Sequence, residues 1–145
     1  GLGVWLHPNR KQEEADYKVK GKKGSMYSIW NSYGWIYDTS VAMVHIAAGG
    51  VFERYPGIKI VGHHGGGMVK EFTDRFEVQR GNFGHTSRDW TSDLRKFYVD
   101  TATFGYQPWS ITRSVEFFGS DRVMFGTDSP MDMMKKGWFH KVGVE

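Results

Sequence analysis

Four short runs of large apolar residues each stop at a histidine or aspartate beside glycine, threonine or proline. Val4-Trp5-Leu6 ends at His7-Pro8, Ile58 to Val61 at His63-His64-Gly65, Phe97-Tyr98-Val99 at Asp100-Thr101, and Val123-Met124-Phe125 at Gly126-Thr127-Asp128. Runs that are apolar at nearly every position predict strands buried on both faces, as in a parallel sheet covered by helices. The segments between them have helical spacing. Asp38-Thr39-Ser40 offers N-caps for a helix over residues 41–55, which Pro56-Gly57 stops. Phe72 and Phe76, four apart, mark a second helix over 68–80, and Ile111, Val115 and Phe118 share a face of a third over 110–118. A minor helix is expected over 91–96. The order strand, helix, strand, helix is that of βα units, so the expected class is α/β. Residues 9–24 break the pattern, being charged and nearly free of large apolar side chains. They predict a long surface loop, read either as a mobile lid beside His7-Pro8 or as a disordered insertion.

Composition narrows the class of protein. At 145 residues with 39% apolar and 16% aromatic side chains, the chain has enough large groups for one folded domain spanning 1–145. The best candidate for a membrane span, Val41 to Phe52, is interrupted by His45 and Gly49-Gly50, which excludes a spanning helix there. The absence of cysteine excludes disulfides, thiolate metal sites and a cysteine nucleophile, so any metal must sit on His, Asp or Glu. Gly1 to Pro8 carries no secretory signal pattern, and the expectation is a soluble cytoplasmic protein. A net charge of +3 is a weak argument for nucleic acid, and the Lys-rich loop has only Tyr17 interleaved. Neither a nucleic-acid nor a membrane partner is expected.

In parallel α/β proteins the loops beyond the carboxyl ends of the strands build the site. Those places hold His7, His63, His64, Asp100 and Asp128. Imidazole and carboxylate are the ligands left to a cysteine-free chain, and a divalent cation on them polarises a substrate oxygen or acidifies bound water. Each residue also has a plainer reading. His7 before Pro8 is a ligand or a strand terminator bonded to backbone. His63 and His64 are adjacent, so on an extended strand at most one faces the site. Gly65-Gly66-Gly67 either admits close approach of a ligand or turns the chain into a helix. Asp128 is a ligand or a turn residue, and Asp100 is read as structural. Trp30, Tyr33, Trp35 and Tyr37 either line a pocket for a planar ring or pack in the core. His45, His85 and His140 are given no role.

Trp5-Leu6-His7-Pro8, Gly34 to Ser40, the stretch from Phe52 through His63-His64-Gly65-Gly66-Gly67-Met68, and Phe118-Gly119-Ser120-Asp121-Arg122 through Gly126-Thr127-Asp128-Ser129-Pro130 together resemble the amidohydrolase-related family that includes aminocarboxymuconate-semialdehyde decarboxylase and resorcylate-type decarboxylases. The resemblance implies part of a metal-dependent (β/α)₈ barrel, its strands five to eight with their helices. It implies His7 and Asp128 as metal ligands, His64 as the histidine that moves protons together with Asp128, and Arg75 and His63 as substrate-binding residues, Arg75 reaching a carboxylate in a neighbouring subunit. The implied cofactor is a divalent ion, zinc first and manganese or magnesium as alternatives. The implied function is decarboxylation of a small aromatic or unsaturated carboxylate, with metal-dependent hydrolysis or a non-catalytic fragment as the alternatives. The family's proline six residues beyond its catalytic histidine is replaced by Lys70, and the first strand with its His-x-His or Glu-x-His metal motif has no counterpart here. A whole barrel takes about 250 residues. The expectation is therefore that a second copy or a missing N-terminal half completes the sheet.

Overall fold

The computed structural model of the chain describes residues 1–14, 20–79, 89–102 and 108–129. Its strands are β1 (Val4–Leu6), β2 (Ile60–Gly62), β3 (Tyr98–Asp100) and β4 (Val123–Met124). They form one sheet in the order β1-β2-β3-β4, every pair parallel. Neighbours in space are thus neighbours in sequence, with none of the reversal that marks a doubly wound sheet, which is how barrel strands follow one another.

The helices are α1 (Ile29–Ser32), α2 (Gly34–Ala48), α3 (Val51–Arg54), α4 (His63–Gly66, a single irregular turn), α5 (Val69–Gln79) and α6 (Pro108–Phe118), with a 3₁₀ turn over Thr91–Lys96. The helices expected over 68–80 and 110–118 and the minor turn over 91–96 are present with bounds shifted by at most two residues where they are described. The first expected helix differs more. It begins seven residues early, so Asp38, Thr39 and Ser40 lie inside α2 instead of capping it. Tertiary anchors explain this. The Trp35 indole N–H donates to the Arg10 carbonyl at 3.0 Å, and Ser40 Oγ donates back to the Ile36 carbonyl at 2.7 Å while accepting the Met68 N–H at 2.7 Å. The same helix ends at Ala48, capped by Gly49, because Gly50 adopts φ 72°, and α3 follows as a separate turn. Strand β2 starts at Ile60 instead of Ile58, since Ile58 is held in the turn by its N–H bond to the Tyr55 carbonyl at 3.0 Å.

Met43 and Ala47 of α2, Val69 of α5, Phe118 of α6 and Leu94 of the 3₁₀ turn close over Ile60 and Val99 of the sheet and over Phe97, which leads into β3. Phe52 meets Phe97 edge to face at 4.9 Å. Fully buried side chains of this size contribute about 1.5–3 kcal/mol each, so the helix-covered face of β2 and β3 holds the structure together. Burial on both faces, expected for all four strands, holds throughout β2 and most of β3, and fails at β1, where Val4 and Trp5 are exposed, and at β4, which is half-buried and stops before the exposed Phe125. An outer strand has no neighbour on one side to cover it. The expected loop over 9–24 contains no helix or strand in its described residues, 9–14 and 20–24, and is tied down where Ser25 N–H bonds the Gln12 carbonyl at 2.9 Å. The remainder of that loop, along with His85 and His140, lies outside the described residues. Among the described residues no helix is long and apolar enough to cross a membrane.

Candidate metal centre

The sheet register assembles the site. Leu6 pairs with Gly62 and Gly62 with Val99, so the next residues, His7, His63 and Asp100, stand in a row at the carboxyl end of the sheet. Asp100 in turn pairs with Met124, four residues before Asp128. Thr101 Oγ1 clasps the end of β4, donating to the Gly126 carbonyl at 3.0 Å and accepting the Gly126 N–H at 3.1 Å. Beyond this clasp Asp128 turns inward with φ 57°.

His63 and His64 behave differently from adjacent strand residues. The extended conformation stops at Gly62, and His64 takes the left-handed conformation, φ 55° and ψ 51°. This conformation costs an L-residue roughly 1–2 kcal/mol. Strand alternation no longer applies, and both rings face Asp128, with their centroids 4.1 Å apart. The expectation that only one of the pair can face the site is therefore corrected, because the backbone reverses between them. The glycines that follow make the reversal tight. A Cβ on Gly66 would stand 2.7 Å from Val99 Cγ1, and one on Gly67 would stand 2.7 Å from the Ile36 carbonyl oxygen. Lys70, where the family places proline, donates from Nζ to the Gly65 and Gly67 carbonyls at 3.2 Å each.

Asp100, read from sequence as structural, is part of the constellation. Its Oδ1 accepts the Ala102 N–H at 3.2 Å, and its Oδ2 accepts the Nδ1–H of His63. The other nitrogen of His63, Nε2, lies 3.3 Å from Asp128 Oδ1, and His64 Nε2 lies 3.9 Å from Asp128 Oδ2. Asp128 Oδ2 is buried, and among the described residues no group donates a hydrogen bond to it. His7 is exposed, and its Nδ1 bonds the Pro8 carbonyl at 2.7 Å; a carbonyl only accepts, so Nδ1 is the donor and Nε2 is the nitrogen left to face a metal.

The surroundings set the charges. Burial works against a charge on His63, but the hydrogen bonds and negative charges of Asp100 and then Asp128 outweigh it and raise its pKa. The pKa of His64 falls to about 4, through burial first and then the neighbouring His63, so His64 is neutral at ordinary pH. Burial alone would raise the pKa of Asp100; the bond to His63 and its charge, with the Ala102 N–H, bring it below the usual carboxylate value.

His7, His63, His64 and Asp128 each offer one ligand atom, all within 4.8 Å of one another. A nitrogen and oxygen donor set with an orphaned buried carboxylate oxygen fits a divalent first-row ion. Trp35 forms a wall, edge-on to His7 at 5.4 Å and tilted against His64 at 6.0 Å, with Trp30 behind it at 5.3 Å. Tyr33 and Tyr37 of the same aromatic stretch are exposed. Arg75 does not join the cluster; it lies on the exposed side of α5 in a surface depression with Phe72, Phe76 and Gln79. Sequence reasoning missed the part played by Asp100, although its strand-end position matched those of the residues it singled out.

The sequence profile of the amidohydrolase family matches residues 6–140, and the chain belongs to that family. Over 98 residues it is 28% identical to a 6-methylsalicylic acid decarboxylase of Penicillium expansum, a match covering 65% of this chain and 30% of that protein. Its fold matches 5-carboxyvanillate decarboxylase of Sphingomonas paucimobilis with a TM-score of 0.67 at 23% identity, over 90% of this chain and 39% of that one. It also matches a dihydroxybenzoic acid decarboxylase of Polaromonas, solved with bound manganese and the inhibitor 2-nitroresorcinol, with a TM-score of 0.65 at 19% identity over 99% of this chain and 45% of that one. The chain spans less than half the length of each of these relatives. Its four parallel strands with their helices are a portion of the amidohydrolase barrel, in line with the expected fold class.

Proposed function

We propose that this chain carries the metal-binding part of a decarboxylase acting on a small aromatic or unsaturated carboxylate. The observation that carries this reading is the convergence of His7, His63, His64 and Asp128 within 4.8 Å at the carboxyl ends of parallel strands. The decarboxylases of aromatic acids among its relatives support the reaction class, and the manganese in the Polaromonas enzyme supports a divalent ion. Zinc is the ion proposed here, with manganese or magnesium as alternatives, and His7 and Asp128 as its ligands. When bound, the ion supplies positive charge that holds and polarises an oxygen of the substrate.

The chain's own residues then bind the substrate and move the proton. Neutral His64 accepts a proton from an acidic substrate group, and the Asp128 carboxylate, with Oδ2 3.9 Å from His64 Nε2, stabilises the imidazolium that results. As the carbon–carbon bond breaks and carbon dioxide leaves, the electron pair stays on the ring carbon, which takes the proton that His64 and Asp128 return. Trp35 offers an apolar face to a planar ring and shields His64 from water. Arg75, exposed on α5, is proposed to meet the substrate carboxylate of an adjoining copy. The edges of the sheet that no strand covers among the described residues fit completion by a second copy or a preceding half-barrel, in a cytoplasmic setting.

The test is release of carbon dioxide from hydroxybenzoates such as 2,6-dihydroxybenzoate by the zinc- or manganese-loaded chain. Metal-dependent release lost in His64→Ala supports the proposal. Hydrolysis of esters or amides of the same acids without carbon dioxide would assign the site to the hydrolases, and inertness towards both would contradict an active centre in this chain.

A further inference from the structure

The orientation of His63 is fixed through both of its ring nitrogens. Its Nδ1–H is committed to Asp100, a buried carboxylate that is itself pinned by the Ala102 N–H. With Nδ1 occupied as a donor, the only atom left to act as a ligand is Nε2, and that atom faces Asp128 Oδ1 at 3.3 Å. Two ligand atoms bonded to one tetrahedral zinc at about 2.0–2.1 Å stand roughly 3.3–3.4 Å apart. A histidine that gives its second N–H to a carboxylate is also the usual arrangement for a metal-bound imidazole, because the carboxylate fixes the tautomer and raises the basicity of the ligand nitrogen.

We propose that His63 is a third protein ligand of the metal, bound through Nε2, and that Asp100 is the positioning residue that holds it in that state. The inference rests on the metal reading above and replaces the substrate-binding role given to His63 from the sequence. With His7 through its free Nε2 and Asp128 through a carboxylate oxygen, these strands alone supply the three protein ligands that catalytic zinc usually needs, leaving one position open. His64, more deeply buried and 3.9 Å from Asp128, keeps its nitrogen for proton transfer. The cluster thereby comprises three metal-holding side chains and His64, which moves the proton with the help of Asp128.

The test is zinc titration of the full chain labelled with nitrogen-15 in its histidines, read by long-range proton–nitrogen correlation. Zinc should shift His63 Nε2 as a ligand nitrogen while Nδ1 remains protonated. The dissociation constant for zinc should rise about 10–100-fold in Asp100→Asn, the usual loss for an outer partner of a ligand. The Asn amide can donate to Nδ1, favouring the tautomer with a proton on Nε2, so the His63 signals should show that exchange of protonation with circular dichroism unchanged. His63→Gln serves as the second variant if Asp100→Asn does not fold, and it should weaken zinc at least as much. Zinc shifts on His7 with none on His63, and an unaltered dissociation constant in His63→Gln, would overturn this inference alone. Zinc shifts on none of the imidazoles would overturn the metal reading and this assignment with it.

Discussion

Leu6 sits in register with Gly62, so His7 and His63, the next residue on each strand, stand side by side with ring centroids 5.2 Å apart. Nothing in the sequence joins these two histidines, which are fifty-six positions apart (63 − 7). The sheet joins them, and the cluster therefore depends on strand pairing and on the tight turn that follows Gly62. Its sensitivity to substitution should be greatest at the residues that shape this turn.

Gly66→Ala is expected to be among the most damaging single changes. Gly66 has φ 76°, and a Cβ there would stand 2.7 Å from Val99 Cγ1 and 2.8 Å from Phe118 Cζ, both side chains of the buried core. A left-handed backbone costs an L-residue roughly 1–2 kcal/mol and overpacking roughly 1–3 kcal/mol, so a loss of about 2–5 kcal/mol is predicted in chemical denaturation. A loss under about 1 kcal/mol would show that the turn relaxes freely.

Lys70→Met keeps the apolar stem and removes the ammonium that bonds the Gly65 and Gly67 carbonyls. Charge-assisted bonds of this kind contribute about 1.5–3 kcal/mol, offset in part by the relief of burying the charge. The expected outcome is a net destabilisation of about 1–2 kcal/mol in chemical denaturation, together with a fall in turnover as His64 loses its fixed backbone. Unchanged stability would mean that the glycine turn holds its shape without Lys70.

Arg75→Ala should raise the Michaelis constant for a carboxylate substrate by about tenfold or more, the loss expected for a charged hydrogen-bonded contact, while leaving the metal content unchanged. Because Arg75 is exposed on α5 and apart from the cluster of its own chain, mixing Arg75→Ala with an inactive His64→Ala chain discriminates further. If one copy's Arg75 serves another copy's site, mixed assemblies recover activity. Identical steady-state kinetics in Arg75→Ala would remove this residue from the function.

The strands, α5 and α6 were legible because apolar runs and helical spacing are local signals. The early start of α2 was not, since it follows from Trp35 and Ser40 bonding to Arg10, Ile36 and Met68, contacts that no local pattern displays. Likewise, alternation was a sound rule for His63 and His64 only while the strand lasted. The left-handed backbone of His64 ends it, although the run of three glycines beside the pair was the sequence signal for such a reversal. Asp100 was underrated for a related reason. Its partner lies 37 positions away, just beyond the neighbouring strand, and only the register of β2 with β3 reveals that the carboxylate and the imidazole meet.

The central claim is that these strand ends form a metal centre, and the most direct test is metal per chain by elemental analysis combined with native mass spectrometry. The wild-type chain should hold one divalent ion, His7→Ala and Asp128→Ala should lower occupancy at least about tenfold, as removal of a direct ligand does more than loss of its outer partner, and His64→Ala should retain the ion while losing turnover. An ion-free wild-type chain, or equal loading of wild type and Asp128→Ala, would contradict the account.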